Sequence, residues 1–575
     1  MEFQRMLNRS GTVRNRLLSW VSGTKFDPRK LRGVLLGLIA HIALGEICCY
    51  RLVQQDIRAG ELPSYTADLM IIIFAVFEAV LAPIVSWWGY TKRRKLLIGY
   101  GTAVVVCCFS WFLMPAKSER KESELCDAAN SENNIGFIGT STLTVFRLLI
   151  VIYTCIVFVL ARVVCLSHGI TYSDDYAPAR TSVHYGVLLI SRIFPLVLGH
   201  KVLTDAVENN MILQTVALSM GSLSSLVQLP CVLSNKAPEV NGLQMEELPL
   251  TNRGLWTSIR RVLYNPIAIT QILAMGLVTA SLWGYGYYEL DIIKVKFNLI
   301  PGSNVYLLFC EIFFFVFIVV AIAYAGTVFS APILMEFSKL KALKQAAIMS
   351  VLMFVFYILI ITVPRCDTGN VVGVGKNYYG HPECSLACHC KPQWDEFKPV
   401  CAVDNMVGYV SPCQAGCRES QKINGIQVYS NCTCARGGRV LERACGDEPC
   451  RKAHLLHGLM YNMLVAFAIL VLQAQGVLLL KVVDPRDKSV ALGLACSFVA
   501  IMTFAVGHAI FYGLYVRTCR WFQGNKCHLQ SEAFPYLIGA TCAFLILTSI
   551  FTTVTSWHFI KLSNKDRNEV FETRL

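Results

Sequence analysis

The sequence predicts an all-α membrane protein that carries one small disulfide-rich extracellular module. Three observations lead to this fold class. The 575 residues are 54% hydrophobic and only 16% charged, whereas soluble globular proteins have about 25% charged residues. Apolar stretches long enough to cross a bilayer recur along the whole chain, and eleven of the 24 cysteines crowd into one polar segment. This composition excludes an ordinary soluble domain.

The apolar stretches number twelve, and each is long enough for a helix to cross about 30 Å of hydrocarbon. They lie at about 34–50, 67–90, 96–114, 143–165, 184–200, 210–232, 265–287, 304–328, 345–363, 456–480, 489–515 and 535–558. A longer polar connection at 233–262 separates the first six from the last six. Two halves of six helices are the plan of the major facilitator fold, in which substrate binds near the bilayer midplane. The spacing therefore predicts a twelve-helix major facilitator fold.

Short basic loops predict the orientation in the membrane. Positive charges cluster at 92–95, 260–261, 339–344 and 481–488, and all four clusters fall on one side if the N-terminus is cytoplasmic. Cytoplasmic loops are enriched in Lys and Arg, and disulfides form on the opposite, oxidising side, where the cysteine-rich segment is placed. Both termini are therefore predicted to be cytoplasmic. No apolar region typical of a cleavable signal peptide occurs near the N-terminus.

The chain is accordingly predicted to comprise two helical bundles, one extracellular module and three cytoplasmic segments. These are an N-terminal segment (1–33), a first six-helix bundle (34–232), a central loop (233–262), the first three helices of the second bundle (263–363), the module (364–455), the last three helices (456–560) and a C-terminal tail (561–575). The module thus interrupts the second bundle after its third helix.

The extracellular module is predicted to depend on disulfides, because it has too little apolar sequence for a large core. Its cysteines are Cys366, Cys384, Cys388, Cys390, Cys401, Cys413, Cys417, Cys432, Cys434, Cys445 and Cys450. Since their number is odd, one is free or pairs elsewhere, and Cys126 in another outer loop is the obvious partner. Cys519 and Cys527 are expected to pair with each other, whereas pairing within the module cannot be deduced from sequence. Asn431 begins a candidate glycosylation sequon.

Residues 388–417 look like a Kazal-type module, with a P-V-C sequence, a G-Y pair and a C-x-x-x-C spacing. A Kazal domain suggests either protease inhibition or a structural cap, and a position between two membrane spans favours the cap. A Kazal-like module between the ninth and tenth of twelve spans resembles the organic anion transporting polypeptides, the solute carrier organic anion family. Further local matches to this family lie at 77–78, 88–89, 169–175, 185–186, 484–493 and 512–527.

The resemblance implies sodium-independent uptake or exchange of amphipathic organic anions at the plasma membrane. Steroid conjugates, eicosanoids and thyroid hormone-like molecules are the substrates it implies, moved by alternating access about a central cavity. The sequence also departs from the family pattern. A tryptophan-rich run is not visible at 205–220, Ala500 stands in place of an arginine, and Asp291 in place of a lysine. These lost cations motivate an alternative, a non-transporting cell-surface protein that uses the Kazal-like module for binding.

Ionisable residues inside the predicted spans are candidates for the transport pathway, because charges are costly in hydrocarbon. Glu78 in the second span matches the family, and we expect it either to contact substrate or an exchange ion or to form an ion pair within the first bundle. Arg162 and Arg192 are expected to attract an anionic headgroup or to be simple cations at helix ends. His508 could titrate near neutral pH, although a lone histidine on an apolar face is more often a hydrogen-bonded core residue.

Asp174 and Asp175 lie in a predicted inner loop, where acidic residues commonly pair with basic loops, and a gating role is favoured over substrate contact. The aromatic cluster at 283–288 is interpreted as an interfacial belt in preference to a surface for stacking on substrate.

The predicted partners are an amphipathic organic anion, the lipid bilayer and a PDZ-domain protein. The last would bind the C-terminal Thr573-Arg574-Leu575, whose carboxylate fits capture by backbone amides. No phosphate-binding loop or nucleophile elbow is evident, and zinc-like spacing occurs only within the disulfide region. We therefore expect no enzymatic activity and no cofactor. We also expect no metal site and no binding of nucleic acid.

Overall fold

The computed structural model describes most of the helical sequence and much of the cysteine-rich segment. The longer described stretches are 65–89, 142–176, 178–203, 254–297, 305–335, 339–365, 406–423, 426–442, 447–523 and 526–572. Shorter ones are 35, 37–38, 97, 99–104, 106–107, 125–126, 239–240, 243–244, 372, 380, 382–388, 390, 400–402, 404 and 445. Most of the predicted first and third spans, all of the sixth, the segment 1–33 and the C-terminal Thr573-Arg574-Leu575 lie outside them.

Helices make up most of the described residues. They are α1 (Tyr65–Trp88), α2 (Thr142–Val164), α3 (Ile170–Tyr176), α4 (Thr181–Leu203), α5 (Leu255–Leu263), α6 (Pro266–Tyr287), α7 (Glu289–Phe297), α8 (Val305–Met335), α9 (Lys339–Thr362), α10 (Asp447–Val482), α11 (Lys488–Val499), α12 (His508–Arg517) and α13 (Phe534–Glu572). Two π-helical segments join neighbouring helices, Cys165–Gly169 between α2 and α3 and Ala500–Gly507 between α11 and α12.

Seven helices within the described part of the chain are long and apolar enough to cross a membrane. They span Asp68–Trp88, Ile156–Asp175, Pro266–Tyr287, Lys339–Thr362, Lys452–Val482, Lys488–Arg517 and Phe534–Leu562. These correspond to the predicted second, fourth, seventh and ninth to twelfth spans, while α4 and α8 occupy the positions predicted for the fifth and eighth. The chain is therefore a multi-pass membrane protein, and the total of twelve spans stays a prediction.

The start of α6 illustrates how local sequence sets a helix boundary. The side-chain oxygen of Asn265 accepts hydrogen bonds from the backbone N–H groups of Ile267 and Ala268, at 3.2 and 3.3 Å. Pro266 follows at the first helical position, where its missing N–H costs nothing. These two residues satisfy donors that would otherwise be left unpaired at the helix start, so the chain enters this membrane-crossing helix at a fixed point.

The predicted fourth span ended too early. Through the π-helical segment Cys165–Gly169 the helix continues into α3 and ends only at Tyr176. Asp174 and Asp175 therefore lie on a helix and not in the inner loop that was expected for them. A π-turn adds residues to a helix without changing its hydropathy, so the apolar pattern alone did not reveal the extension.

Other predicted boundaries also shift. Helix α5 occupies the end of the predicted central loop, and α10 begins at Asp447, inside the segment assigned to the module. Helix α13 continues through most of the predicted tail to Glu572. The residues added at the start of α10 and at the end of α13 are mostly polar, and hydropathy places helix ends only to within a few residues.

The cysteine-rich module contains a small antiparallel sheet. Its strands are β3 (Val400–Ala402), β4 (Val407–Tyr409), β5 (Glu419–Ile423), β6 (Ile426–Ser430) and β7 (Arg439–Leu441), arranged in the order β4-β3-β7-β6-β5. Val400 pairs with Tyr409 and Val428 with Leu441. Elsewhere, β1 (Glu239–Val240) pairs with β2 (Leu243–Gln244), and β8 (Cys519–Gln523) with β9 (Lys526–Gln530). The apolar core of the module is small, as expected for a disulfide-dependent domain.

Six disulfides are formed among the described residues. They are Cys126–Cys388, Cys384–Cys434, Cys390–Cys413, Cys401–Cys445, Cys417–Cys432 and Cys519–Cys527. The pairing of Cys126 with the module and that of Cys519 with Cys527 are confirmed. Cys366 and the side chain of Cys450 lie outside the described residues. The Kazal assignment and glycosylation of Asn431, an exposed residue with φ of 57°, stay predictions.

Glycines allow the two predicted bundles to approach closely at two places. A Cβ atom on Gly493 in α11 would overlap the side chain of Ser86 in α1. A Cβ atom on Gly476 in α10 would overlap the ring of Tyr185 in α4. Small residues at such contacts let helix backbones pack together inside a membrane. The helices α1 and α4 of the first bundle therefore lie directly against α11 and α10 of the second.

Candidate functional site

A central cluster of charged and aromatic side chains lies where the two predicted bundles meet. Glu78 in α1 is fully buried and forms an ion pair with Arg162 in α2. The guanidinium carbon of Arg162 is 5.6 Å from the centre of the Phe504 ring, a cation–π arrangement. Phe504 belongs to the π-helical segment before α12. Since the helix that carries Arg162 continues to Tyr176, the interpretation of Arg162 as a helix-end cation is wrong.

Arg192 in α4 approaches the same region. The thiol of Cys496 in α11 is buried and outside any disulfide, and it interacts electrostatically with Arg192, Glu78 and Arg162. Three of the four predicted pathway residues therefore surround one position of α11. Together they bring two positive charges and one negative charge to the contact between the bundles.

Trp283 in α6 extends the central cluster towards the helix ends that lie beside Asp68 and His508, which we call the module end. Its ring centre is 4.7 Å from that of Phe504, in an edge-to-face arrangement. Its indole N–H donates a hydrogen bond to His508 Nδ1 at 3.5 Å. The aromatic surface therefore runs without interruption from Arg162 to His508.

Asp68 and His508 join the two predicted bundles at the module end. His508 Nε2 is 2.9 Å from Asp68 Oδ1, and the Tyr287 hydroxyl donates to the same oxygen at 3.1 Å. Nδ1 of His508 accepts the hydrogen bond from Trp283, so the ring proton is on Nε2. Nε2 therefore donates a hydrogen bond to the Asp68 carboxylate. Asp68 was not among the predicted site residues, although an acidic residue at the start of an apolar run was a usable signal.

The aromatic cluster at 283–288 faces the protein interior, so the prediction of an interfacial belt is wrong. Tyr285 is 1% exposed, and its hydroxyl lies 2.8 Å from His457 Nε2 in α10. Tyr288 is 3% exposed and packs edge-on against Phe534 of α13. Neighbouring helices cover both rings, a result of tertiary packing that residue type does not reveal.

One ion pair joins the bundles at the opposite end of the helices, which we define by Asp174 and Lys488. The Lys488 ammonium is 2.6 Å from Asp174 Oδ2, and Asp174 also accepts from the Thr181 hydroxyl at 2.9 Å. The predicted pairing of Asp174 with a basic residue is therefore present. Asp175 is half-buried beside it on α3.

A second ion pair at the opposite end holds α5 to the turn before α11. Arg261 donates through two nitrogens to the two carboxylate oxygens of Asp487, at 2.7 and 2.9 Å. This hydrogen bonding raises the pKa of Arg261 above its usual value. Such a fork fixes the orientation of both groups, so α5 is held firmly against the start of α11.

Gln473 in α10 is a polar hub that sequence analysis missed. Its side-chain nitrogen donates to the backbone and the side-chain oxygen of Ser182, at 3.0 and 3.1 Å, and its oxygen accepts from Ser330 at 3.0 Å. One buried amide therefore ties α10 to α4 and α8. A glutamine side chain without hydrogen bonds has a high free energy in hydrocarbon. A glutamine within an apolar run was therefore a usable sequence signal for a hydrogen-bonded site.

The arrangement suits non-covalent binding of a charged and apolar molecule. Within the described ranges, no group of three or more His, Cys, Asp or Glu side chains is placed to hold a metal ion. The central cluster offers guanidinium donors beside aromatic rings. The Asp174–Lys488 ion pair crosses one end of the interface, and the Asp68–His508 hydrogen bond crosses the other.

Known proteins with similar sequences point to one family. The model of the Organic Anion Transporter Polypeptide (OATP) family matches residues 225–536, more than half of the chain. Solute carrier organic anion transporter family member 2B1 of Homo sapiens is 28% identical over 183 residues, 30% of this chain and 25% of that protein. Member 1B1 of Homo sapiens is 24% identical over 339 residues, 53% of this chain and 47% of that protein. The chain thus matches a quarter to a half of the length of these two relatives.

One relative matches over most of the chain, and one solved structure has a similar fold. Member 1B3 of Homo sapiens is 21% identical over 593 aligned residues, 86% of this chain and 82% of that protein. A bacterial homologue of the iron transporter ferroportin, in an outward-facing state with soaked iron, has a TM-score of 0.50 at 11% identity, covering 92% of this chain and 99% of that one. At this identity the structural likeness shows the fold alone. The chain belongs to the Organic Anion Transporter Polypeptide family, a family of transporters and not of enzymes.

Proposed function

We propose that this chain transports amphipathic organic anions across the plasma membrane by alternating access. The observation that carries the proposal is the position of Arg162 between the two bundles, beside the ring of Phe504, which in turn packs against Trp283. A guanidinium attracts a carboxylate or sulfate, and neighbouring rings pack against an apolar body. One site thus offers both halves of an amphipathic anion a suitable partner.

The charges around Cys496 favour an anion over a cation. Arg162 and Arg192 bring two positive charges and Glu78 one negative charge to this position of α11. Glu78 keeps Arg162 oriented through their ion pair, and one positive charge remains in excess. An excess cation in a low-dielectric site raises the local concentration of anions and disfavours cations. The arginine expected at Ala500 is thus replaced in function by arginines on α2 and α4.

The Asp174–Lys488 ion pair and the Asp68–His508 hydrogen bond, at the two ends of the interface, are the proposed gates. At the opposite end, the Asp174–Lys488 pair and the hydrogen bonds of Gln473 would have to break before substrate could leave on that side. At the module end, the Asp68–His508 pair would have to open for the other side. Twelve helices in two rocking bundles, with the basic opposite end in the cytoplasm, complete the proposal. Sodium independence is proposed from the family resemblance.

Uptake measurements test this proposal. Cells that express the wild-type chain should accumulate a labelled steroid sulfate, thyroid hormone or eicosanoid. Arg162→Gln should lower kcat/KM by about tenfold or more, the cost of losing one charged hydrogen bond. Arg517→Gln removes an exposed cation of α12 outside the central cluster, and should leave uptake unchanged.

Absence of uptake would favour the alternative function, a non-transporting cell-surface protein. Surface biotinylation must show equal amounts of each variant, so that uptake is compared per molecule. Normal surface levels without uptake of any of the three substrate classes would refute the assignment. Binding of an extracellular protein that is lost when 366–446 is deleted would then support a binding role for the module.

A further inference from the structure

Helix α5 has an exposed face that combines aromatic, aliphatic and basic side chains. Trp256 and Tyr264 are 72% and 73% exposed, and Leu263 is 40% exposed. With Arg260 they occupy positions i, i+4, i+7 and i+8, which lie on one side of a helix. The other side, which includes Ser258 and Val262, is buried. The helix is thus amphipathic with an apolar face turned away from the protein core.

The position of α5 places this face where a bilayer begins. Only Tyr264 and Asn265 separate the end of α5 from Pro266, the first residue of a membrane-crossing helix. Aromatic residues with a polar edge concentrate at the level of lipid headgroups. Amphipathic helices with basic and aromatic residues lie in that interfacial plane. Lipid is therefore the partner that the position of the face favours.

The two adjacent arginines of α5 have different partners. Arg261 donates two hydrogen bonds to the Asp487 carboxylate and a third to the Ser258 hydroxyl. Arg260 lies on the exposed side, with its guanidinium carbon 5.1 Å from the centre of the Tyr264 ring. Stacking on this ring holds the guanidinium beside the exposed apolar side chains. Arg260 is therefore placed to meet a charged group at the surface.

We propose that α5 binds the phosphate of an anionic phospholipid headgroup through Arg260, with Trp256, Leu263 and Tyr264 inserted among the neighbouring lipids. The helix contains no acidic residue, and guanidinium groups match phosphate oxygens in geometry and charge. In the proposed orientation α5 lies at the cytoplasmic leaflet, and this leaflet carries the anionic lipids. The proposal rests on membrane insertion of α6, and it is independent of which substrate is transported.

Lipid binding at this site bears on the proposed gate at the opposite end. Arg261 holds Asp487, and the next residue, Lys488, holds Asp174. A headgroup that holds α5 in place therefore also holds Asp487, and with it the adjacent Lys488 that pairs with Asp174. We expect anionic lipid to favour the state in which the bundles are joined at that end.

Fluorescence of the full-length protein in lipid nanodiscs tests the site. Brominated lipids quench tryptophans that they touch, and the difference between wild type and Trp256→Phe isolates Trp256 from the other tryptophans. Brominated phosphatidylserine should quench this difference signal at lower mole fraction than brominated phosphatidylcholine. Arg260→Gln should weaken the preference for phosphatidylserine about fivefold, the value of one basic residue near an anionic surface.

Lys344→Gln is the matched control, since it removes one exposed positive charge from a different helix, near the start of α9. It should leave quenching of Trp256 unchanged. An equal loss in Lys344→Gln would assign the preference to general surface charge and overturn the site. Equal quenching by both lipids would overturn the anionic headgroup, and absence of quenching would overturn contact with lipid. Arg260→Lys should retain most of the preference, which excludes a folding defect as the cause.

Discussion

Replacing Glu78 with Gln removes the carboxylate that forms an ion pair with Arg162. Glu78 is fully buried, and the Arg162 side chain is 14% exposed. Two unit charges about 4 Å apart interact by about 4 kcal/mol at an effective dielectric constant of about 20. Breaking such a buried pair on one side typically costs about 3–5 kcal/mol, because the remaining charge stays buried. We therefore expect Glu78→Gln to destabilise the protein by about 3–5 kcal/mol.

The double variant Glu78→Gln/Arg162→Gln separates the interaction energy of the pair from the individual effects of the two residues. Without either charge the site holds two neutral amides, and most of the lost stability should return. Unfolding of the purified protein in mixed micelles, followed by tryptophan fluorescence, gives the free energy for each member of the cycle. The coupling energy should be at least about 2 kcal/mol, well above the scatter of independent sites.

The ion pair between Arg365 and Glu532 is the matched control. Its side chains are 40% and 58% exposed, and exposed pairs contribute about 0–1 kcal/mol. Glu532→Gln should therefore change stability little. If Glu78→Gln costs no more than Glu532→Gln, or if the cycle shows no coupling, the assignment of a buried, stabilising pair is refuted.

Three further predictions concern other parts of the molecule. Lys488→Gln should weaken the opposite end by about 1 kcal/mol, so that amide hydrogen exchange in α3 accelerates about fivefold; an unchanged rate would contradict this. Burial lowers the pKa of Lys296 to about 8, whereas an unfolded lysine has a pKa of about 10.4. The unfolded state then binds more protons between these values, so stability rises with pH across that window. Lys296→Met should abolish this rise in the unfolding midpoint, and a slope that persists would argue against the buried ammonium. Replacing Cys519 and Cys527 together by Ser opens a short hairpin and should cost about 2–3 kcal/mol, detected as faster proteolysis between β8 and β9.

The sequence correctly predicted the positions of the seven membrane-crossing helices that the structure describes, and it predicted two cysteine pairings. Hydrocarbon requires long apolar runs whatever the tertiary structure. Because the number of module cysteines is odd, one of them had to be free or pair elsewhere, and Cys126 in a separate loop is that partner. An ion pair within the first bundle was one of two roles expected for Glu78, and the structure shows such a pair. The sequence could not name Arg162 as its partner, because that residue lies 84 positions away.

Features that depend on packing between helices were beyond the sequence. The location of Asp174 on a helix depends on a π-turn, and the burial of Tyr285 depends on which helices cover α6. Asp68 and Gln473 acquire their importance only where α1 meets α12 and where α10 meets α4 and α8. Periodicity reports which residues are apolar, and it does not report which helices become neighbours.

The disulfide between Cys126 and Cys388 closes a covalent ring around much of the chain. The two cysteines are 262 positions apart, and the helices from α2 to α9 lie within the ring. A protease cut in the connection between α4 and α5 would therefore not release two fragments. The severed halves would migrate as one molecule until a reducing agent was added. On the cysteine-rich side, the two predicted bundles are therefore joined covalently, and the reach of the loop and the module limits how far they can separate there.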